Sequence, residues 1–403
     1  MSLATMDEFG RHFAESRIAV VSLLVSLAFL LCAIFAPAIA PTNPYDLSQL
    51  QLADALKPVG SPKVVPGEEL RVRVAVANGT ATFEDLPEGS AIKAITAEAC
   101  GEKCLDVGVE PADVALESLQ IRGLPPGLSV EGASKHPVQP WWTVAAPAGG
   151  KARIVAEGAF PSDVSFLAIV KSAPQETGFV FRLGTDSFGR DMLSAILYGI
   201  RISVIVGLVA AGTAMILGIG LGLLAAWMGG TVDAIIMRAV DFMLGFPALL
   251  VGLAVLAILG NGVDKVVFAI IIVQWSYYAR TTRSVAMAEL GKEYVEAAKT
   301  LRLSPVRIML RHVLPNCLPQ VIVLFTLNIA SAISLESSLS FLGVGLPLTQ
   351  PSLGMLIANG YEFIFSQKYW ISLYPGIVLL VMIVAVNLLG DRLRDLNNPR
   401  LAR

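Results

Sequence analysis

A chain of 403 residues that is 55% hydrophobic and only 15% charged cannot clothe its surface for water, since soluble domains carry about 25% charged residues. Thirty Lys and Arg against thirty-two Asp and Glu give a formal charge of −2, which excludes the basic balance of a nucleic-acid binder. Four cysteines in so long a chain exclude a disulfide scaffold.

In chain order, residues 18–40 hold no charge and follow Arg11 and Arg17, enough for the roughly 20 apolar residues that a bilayer crossing needs. They predict a first span. A cleaved signal peptide is the alternative, because Ala38 and Ala40 mimic a cleavage site. The run outlasts the apolar region of such a peptide, and Pro41 follows it.

Residues 42–180 are rich in Pro, Gly and acidic residues and have no run able to cross a membrane. They predict a separate extracytoplasmic domain, largely β. Residues 70–77 alternate at period two, and Asn78-Gly79 predicts a hairpin turn into residues 80–83. Residues 152–156 and 165–170 are further strand candidates, and Pro125-Pro126-Gly127 reads as a turn. The spacing of Cys100 and Cys104 can bring two Cα atoms within disulfide reach, and an oxidising compartment favours the bond. Half of a metal site is the rival, with only His136 in the same domain to complete it.

Five more apolar runs, at 202–228, 242–259, 266–279, 313–335 and 371–389, bring the predicted spans to six. None carries an ionisable residue at its middle, where an ion-gradient carrier would need one. Gly218 and Gly222 form a GxxxG pair that lets another helix approach closely. Between the fourth and fifth runs stand Arg280, Arg283, Lys292, Lys299, Arg302, Arg307 and Arg311; between the fifth and sixth stands only Lys368. Cationic residues mark the cytoplasmic side, so loop 280–312 and both termini are expected inside, although Arg182, Arg190 and Arg201 then fall outside.

The cationic loop holds the chemistry-bearing pattern. Tyr294, Ala297, Ala298 and Leu301 fall at i, i+3, i+4 and i+7 and predict one apolar helix face. Ser304 before Pro305 predicts an N-cap with Pro at the first helical position, opening a second helix. Such a small-residue patch, ringed by Lys299, Arg302 and Arg307, suits docking into a groove of another protein. A helix pair packed only on its own chain is the other reading. The chain has no G-x-x-x-x-G-K-[ST] phosphate loop.

Glu296-Ala297-Ala298, with Ile308, Leu314 and Pro315 at their offsets, resembles the EAA loop of bacterial ABC-importer permeases. Four further segments resemble the C-type permease subunit of the dipeptide and oligopeptide branch: Leu183-Gly-Thr-Asp-Ser-Phe-Gly-Arg-Asp191, Tyr198-Gly-Ile-Arg-Ile-Ser203, Glu336-Ser-Ser-Leu-Ser-Phe-Leu-Gly343 and Asn387-Leu-Leu-Gly-Asp-Arg-Leu-Arg-Asp395. The likeness is weak over 11–45 and strong over 181–400. Where that family usually has Gly, six residues after the loop Glu, this chain has Arg302, which resists a positive-φ bend.

The resemblance implies an all-α integral membrane protein: a six-helix type I ABC-importer core with a β-rich extracytoplasmic insert between the first two spans. The expected layout is a cytoplasmic N-terminus (1–17), first helix (18–41), insert (42–180), permease core (181–395) and cytoplasmic tail (396–403). The chain would be a non-catalytic permease subunit importing peptides across a bacterial inner membrane. Its implied partners are a second permease subunit, two ATP-binding-cassette ATPase domains that carry ATP and Mg, an extracytoplasmic substrate-binding protein and membrane lipid. No cofactor is expected on this chain. Glu293, Tyr294, Glu296, Ala297, Ala298, Leu301, Arg302 and Arg307 are the implied ATPase-coupling residues. Glu336 would contact a peptide amine in the pathway, or instead pair with Arg201 or a helix end. A non-peptide cargo such as a nickel complex or glutathione is the alternative, and an ion-gradient-driven carrier a more distant one.

Overall fold

The computed structural model describes residues 12–46, 51–65, 69–75, 91–97, 107–108, 115–116, 119–122, 133–135, 141–144, 153–154, 165–171, 175–347 and 349–396. The chain divides into two compact units, Met1–Ser61 with Phe181–Arg403, and Pro62–Val180.

The first unit is helical. Helix α1 (Arg17–Ile39) starts where the Ser16 hydroxyl accepts from the Ala19 N–H and stops at Ala40, extended before Pro41. Helix α2 (Met192–Met228) is capped by Asp191, whose carboxylate accepts from the Ser194 N–H at 2.9 Å, and ends at Gly229 with φ 60°. At 37 residues it is about 55 Å long, nearly twice a hydrocarbon core of about 30 Å. Helices α3 (Gly230–Leu244) and α4 (Ala248–Leu259) follow, then α5 (Val263–Leu290), α6 (Glu293–Thr300) and α7 (Pro305–Ile308). A π-type turn, Met309–Val313, joins α7 to α8 (Leu314–Phe341); α9 (Leu353–Tyr361) and α10 (Trp370–Leu396) close the chain.

Among the described residues, α1, α2, the run Pro305–Phe341 and α10 are each long and apolar enough to cross a membrane, and α3 with α4 qualifies as a pair bent by 93°. That bend corrects the expected third span: residues 242–259 are not one helix. Pro247 lacks an N–H and pushes Phe246 out of helical geometry, so the chain turns between Leu244 and Ala248. The expected fourth span, 266–279, lies inside α5. The second helix of the cationic loop is also longer than expected, since it runs through the π-type turn into α8 without a break.

Helix α2 is the spine. It lies along α5 because Gly218 and Gly222 present bare backbone there: a Cβ on Gly218 would fall 2.4 Å from the Tyr278 Cβ, and one on Gly222 would fall 2.6 Å from the Ala279 carbonyl oxygen. Buried Met192, Ile196, Ile333, Leu353 and Ile371 then knit α2, α8, α9 and α10 into one core. The Leu183-to-Asp191 motif braces one end of this bundle. Asp186 accepts from the Phe188 and Arg190 N–H groups at 2.9 and 2.8 Å and from Arg190 Nε at 2.6 Å. The Thr185 hydroxyl donates to the Asp54 carbonyl, while the Thr185 carbonyl accepts from Trp370 Nε1 at the start of α10.

In the second unit, β1 (Glu69–Ala75) pairs antiparallel with β4 (Ser165–Lys171), Glu69 opposite Lys171 and Ala75 opposite Ser165. The sheet order continues from β4 to β2 (Ala91–Ala97) and β3 (Ala115–Leu116). The expected strand near 70–77 finds its described partner at least 90 residues away. Asn78-Gly79, residues 80–83, Pro125 to Gly127, Cys100, Cys104 and His136 lie outside the described residues. Of the expected strand 152–156, Arg153–Ile154 is extended and pairs with Val107–Gly108.

Candidate functional site

The loop joining α5 to α8 is built from local rules. Glu293 and Glu296 stand in the first turn of α6, where the helix dipole favours negative charge, and Lys299 stands in its last. The helix closes with the Arg302 N–H on the Lys299 carbonyl (2.9 Å) and the Leu303 N–H on the Ala298 carbonyl (3.2 Å). This is a Schellman ending, and it requires a left-handed residue between cap and exit. Arg302 occupies that position with φ 52°. The positive-φ bend that Arg302 was expected to resist is thus made by a residue with a Cβ. Ser304 then caps the next helix, its hydroxyl accepting from the Arg307 N–H at 3.4 Å, with Pro305 at the first helical position as expected.

A left-handed non-glycine residue costs roughly 1–2 kcal/mol, offset in part by the about 0.5–1 kcal/mol that Gly loses through its freer unfolded chain. Arg302→Gly should therefore raise the thermal midpoint of the detergent-solubilised protein by roughly 1–3 °C, and Arg302→Val should lower it. A fall with Gly would mean that the Arg302 side chain holds more than the bend releases.

The loop is pinned to the bundle by polar contacts at its start. Tyr294 donates its hydroxyl hydrogen to Glu289 Oε2 at 2.6 Å and accepts from Asn316 Nδ2 at 3.1 Å; Lys292 Nζ meets Glu289 Oε1 at 2.6 Å. Asn316 also donates to the His312 carbonyl at 2.8 Å. The Glu289 carboxylate thus has a hydrogen-bond donor on each oxygen, Lys292 on one and Tyr294 on the other. Burial, and then the Glu289 carboxylate itself, push the Tyr294 hydroxyl up to about 12. The ends of α5 and α8 and the start of α6 are thereby fastened together.

The apolar face expected from spacing is split. Val295 and Ala298 point inward, packed with Leu223, Ala286, Ile308 and Val313, and Ala298 is only 4% exposed. Ala297 and Leu301 face out, Leu301 at 74% exposure, and Glu293, Glu296, Arg302 and Arg307 are exposed beside them. Ala298 is thus part of the protein's own core, a correction to the expected docking face. Val306 and Leu310 take its place on the outer surface, at 64% and 55% exposure. Their i, i+4 spacing after the Ser304 cap is a signal the sequence carried. Glu289 and Asn316 were missed, since nothing local marks residues that meet only across the fold.

Glu336 is fully buried in α8. The hydroxyls of Ser203 (3.1 Å), Ser337 (3.3 Å), Ser340 (2.8 Å) and Ser352 surround its carboxylate. Among the described residues no ion pair to Arg201 is present; the helices α2, α8 and α9 are joined here by neutral donors instead.

The family model described as binding-protein-dependent transport system inner membrane component matches residues 218–403, and that described as the N-terminal TM domain of oligopeptide transport permease C matches residues 5–58. The di/tripeptide transport system permease protein DppC of Pseudomonas aeruginosa is 41% identical over 221 residues, 55% of this chain and 73% of that protein. The dipeptide transport system permease protein DppC of Haemophilus influenzae is 38% identical over 221 residues, 55% of this chain and 75% of that protein. A solved structure of the inward-facing MetNI methionine ABC transporter aligns with 51% of this chain and 98% of its own, with a TM-score of 0.42 and 15% identity.

Proposed function

Because this chain belongs to the family of binding-protein-dependent transport system inner membrane components, we propose that it forms half of a peptide translocation pathway driven by separate ATPases. It is a transmembrane permease subunit. Peptides are assigned as cargo from the relatives that bear di- and tripeptide names. A second permease chain completes the pathway, two ATP-binding-cassette domains supply ATP hydrolysis with their own Mg, and an extracytoplasmic binding protein delivers the cargo. The chain itself makes and breaks no covalent bond.

The observation that carries this reading is the loop of α6 and α7. Its outer surface presents Leu301, Val306 and Leu310 to a partner, while its inner surface, through Val295, Ala298 and Ile308, is embedded among α2, α5 and α8. A push on the outer surface therefore moves the transmembrane helices as one body. Six crossings are assigned to α1, α2, the bent α3 and α4, α5, the run from α7 to α8, and α10. Both termini and the loop face the cytoplasm, and the insert between α1 and α2, a β domain, faces the periplasm of a bacterial inner membrane.

Two measurements test this. In a background lacking the four native cysteines, Ser134→Cys should react with a membrane-impermeant thiol reagent in intact cells and Ser284→Cys should not; the reverse pattern overturns the orientation. Vesicles holding the complete transporter should take up a labelled dipeptide only with ATP inside the ATPase-facing compartment. Uptake of a nickel complex or glutathione with none of peptide would move the cargo assignment and leave the permease role standing.

A further inference from the structure

Helices α1 and α10 do not close fully on each other. Between them lies a groove of about 500 Å³ whose wall is apolar apart from Ser22 and Arg17, running from Val25 to Arg17 on α1 and from Leu380 to Leu388 on α10. One arginine stands at its end: Arg17 lines the groove through its stem and is exposed. Arg392 lies one turn beyond Leu388 on the same face of α10, and its Nη2 donates to the His12 carbonyl, which sets the end of α10 beside the start of α1. Arg392 Nε is buried with no hydrogen-bond partner among the described residues. A buried donor left empty is costly, so this guanidinium is short of one acceptor.

Physical chemistry selects the occupant. An apolar groove open to a bilayer fills with acyl chain, and the nine residues of α1 from Arg17 to Val25 give it about 12 Å of length. Arg17 at the end of the groove, Arg392 one turn beyond Leu388 and the positive end of the α1 dipole attract an anion. Among the described residues, the acidic groups nearest in sequence to Arg17 and Arg392 are Glu15, already held by the His12 ring at 3.3 Å, and the exposed Asp391 and Asp395. None of these fills the acceptor position on Arg392 Nε among the described residues.

We propose that the groove between α1 and α10 binds one anionic phospholipid from the leaflet on the side of the termini. One acyl chain lies along Val21, Val384 and Leu388, and the phosphate accepts hydrogen bonds from Arg17 and Arg392. This rests only on the chain spanning a membrane, not on its cargo or on the coupling role of the loop.

The test is lipid retention by the purified complete transporter, equilibrated with equal amounts of dioleoyl phosphatidylglycerol and dioleoyl phosphatidylcholine and read by native mass spectrometry. One phosphatidylglycerol should be retained in preference to phosphatidylcholine. Each cation near an anionic lipid favours binding roughly fivefold, so Arg17→Gln with Arg392→Gln should weaken that retention roughly 25-fold, with Lys368→Gln as the unchanged control. Val384→Trp fills the groove without touching a charge and should expel the lipid too, which keeps the test valid if the double variant folds poorly. Equal retention of both lipids, or retention unchanged in the double variant, would each overturn the site. Peptide uptake is measured separately, so a failed lipid site leaves the transport function standing.

Discussion

Leu301→Glu combined with Val306→Glu should abolish peptide uptake while leaving the permease folded. Both side chains are mostly exposed, so their replacement costs the isolated chain little. If they are apolar anchors in an ATPase groove, losing one typically costs about 2 kcal/mol, a roughly thirtyfold weakening. The variant should be recovered from membranes in normal amount, with an unchanged thermal midpoint, and without its ATPase subunits. Ala298→Tyr should behave in the opposite way: it forces a ring into the cluster of Val295, Ile308 and Val313 and lowers the midpoint, because overpacking a filled site costs roughly 1–3 kcal/mol. Uptake at the wild-type rate in the double Glu variant, with ATPase still bound, would remove the docking role from this surface.

Gly222→Leu should separate α2 from α5 and cost most of the recoverable protein. Its Cβ would land 2.6 Å from the Ala279 carbonyl oxygen and 2.9 Å from the Thr282 Cβ, and backbone cannot step aside as a flexible side chain can. Gly220, two residues earlier on the same helix, would meet nothing within 4 Å. Gly220→Leu should therefore be tolerated, and Gly220→Ala should be neutral or gain up to about 1 kcal/mol of helix propensity. Thermal midpoints measured for the four substitutions at 220 and 222, Ala and Leu at each, should rank 220 above 222 for both residues. Equal losses at the two positions would show that helix α2 itself, and not its contact with α5, is sensitive.

The two predictions mark where local rules stop. Charge-free runs, the Ser304-Pro305 opening, the cationic loop and the GxxxG pair were legible because each is set by neighbours within one or two turns or by the solvent that a segment must enter. The bilayer demands apolar residues on every side of a crossing helix, so periodicity there cannot say which side meets protein. Only the tertiary structure separates Gly222, pressed on α5, from Gly220, which faces open space.

The loop repeats the lesson at higher resolution. Spacing put Tyr294, Ala297, Ala298 and Leu301 on one face, since it fixes angles about the helix's own axis. It did not reveal that the underlying bundle takes up the side of Val295 and Ala298, leaving Ala297 and Leu301 to a partner. Glu336 stood out in the sequence as an acid beside an apolar run and invited a cation. The fold gives it four serine hydroxyls from three different segments instead, a solution that depends on residues 133 positions apart and so has no local trace. The sequence by itself determined the medium, the family pattern and the helix ends, because those follow from composition and short-range hydrogen bonding. Which faces are spent inside the chain and which remain for lipid and partners was decided only when the helices packed.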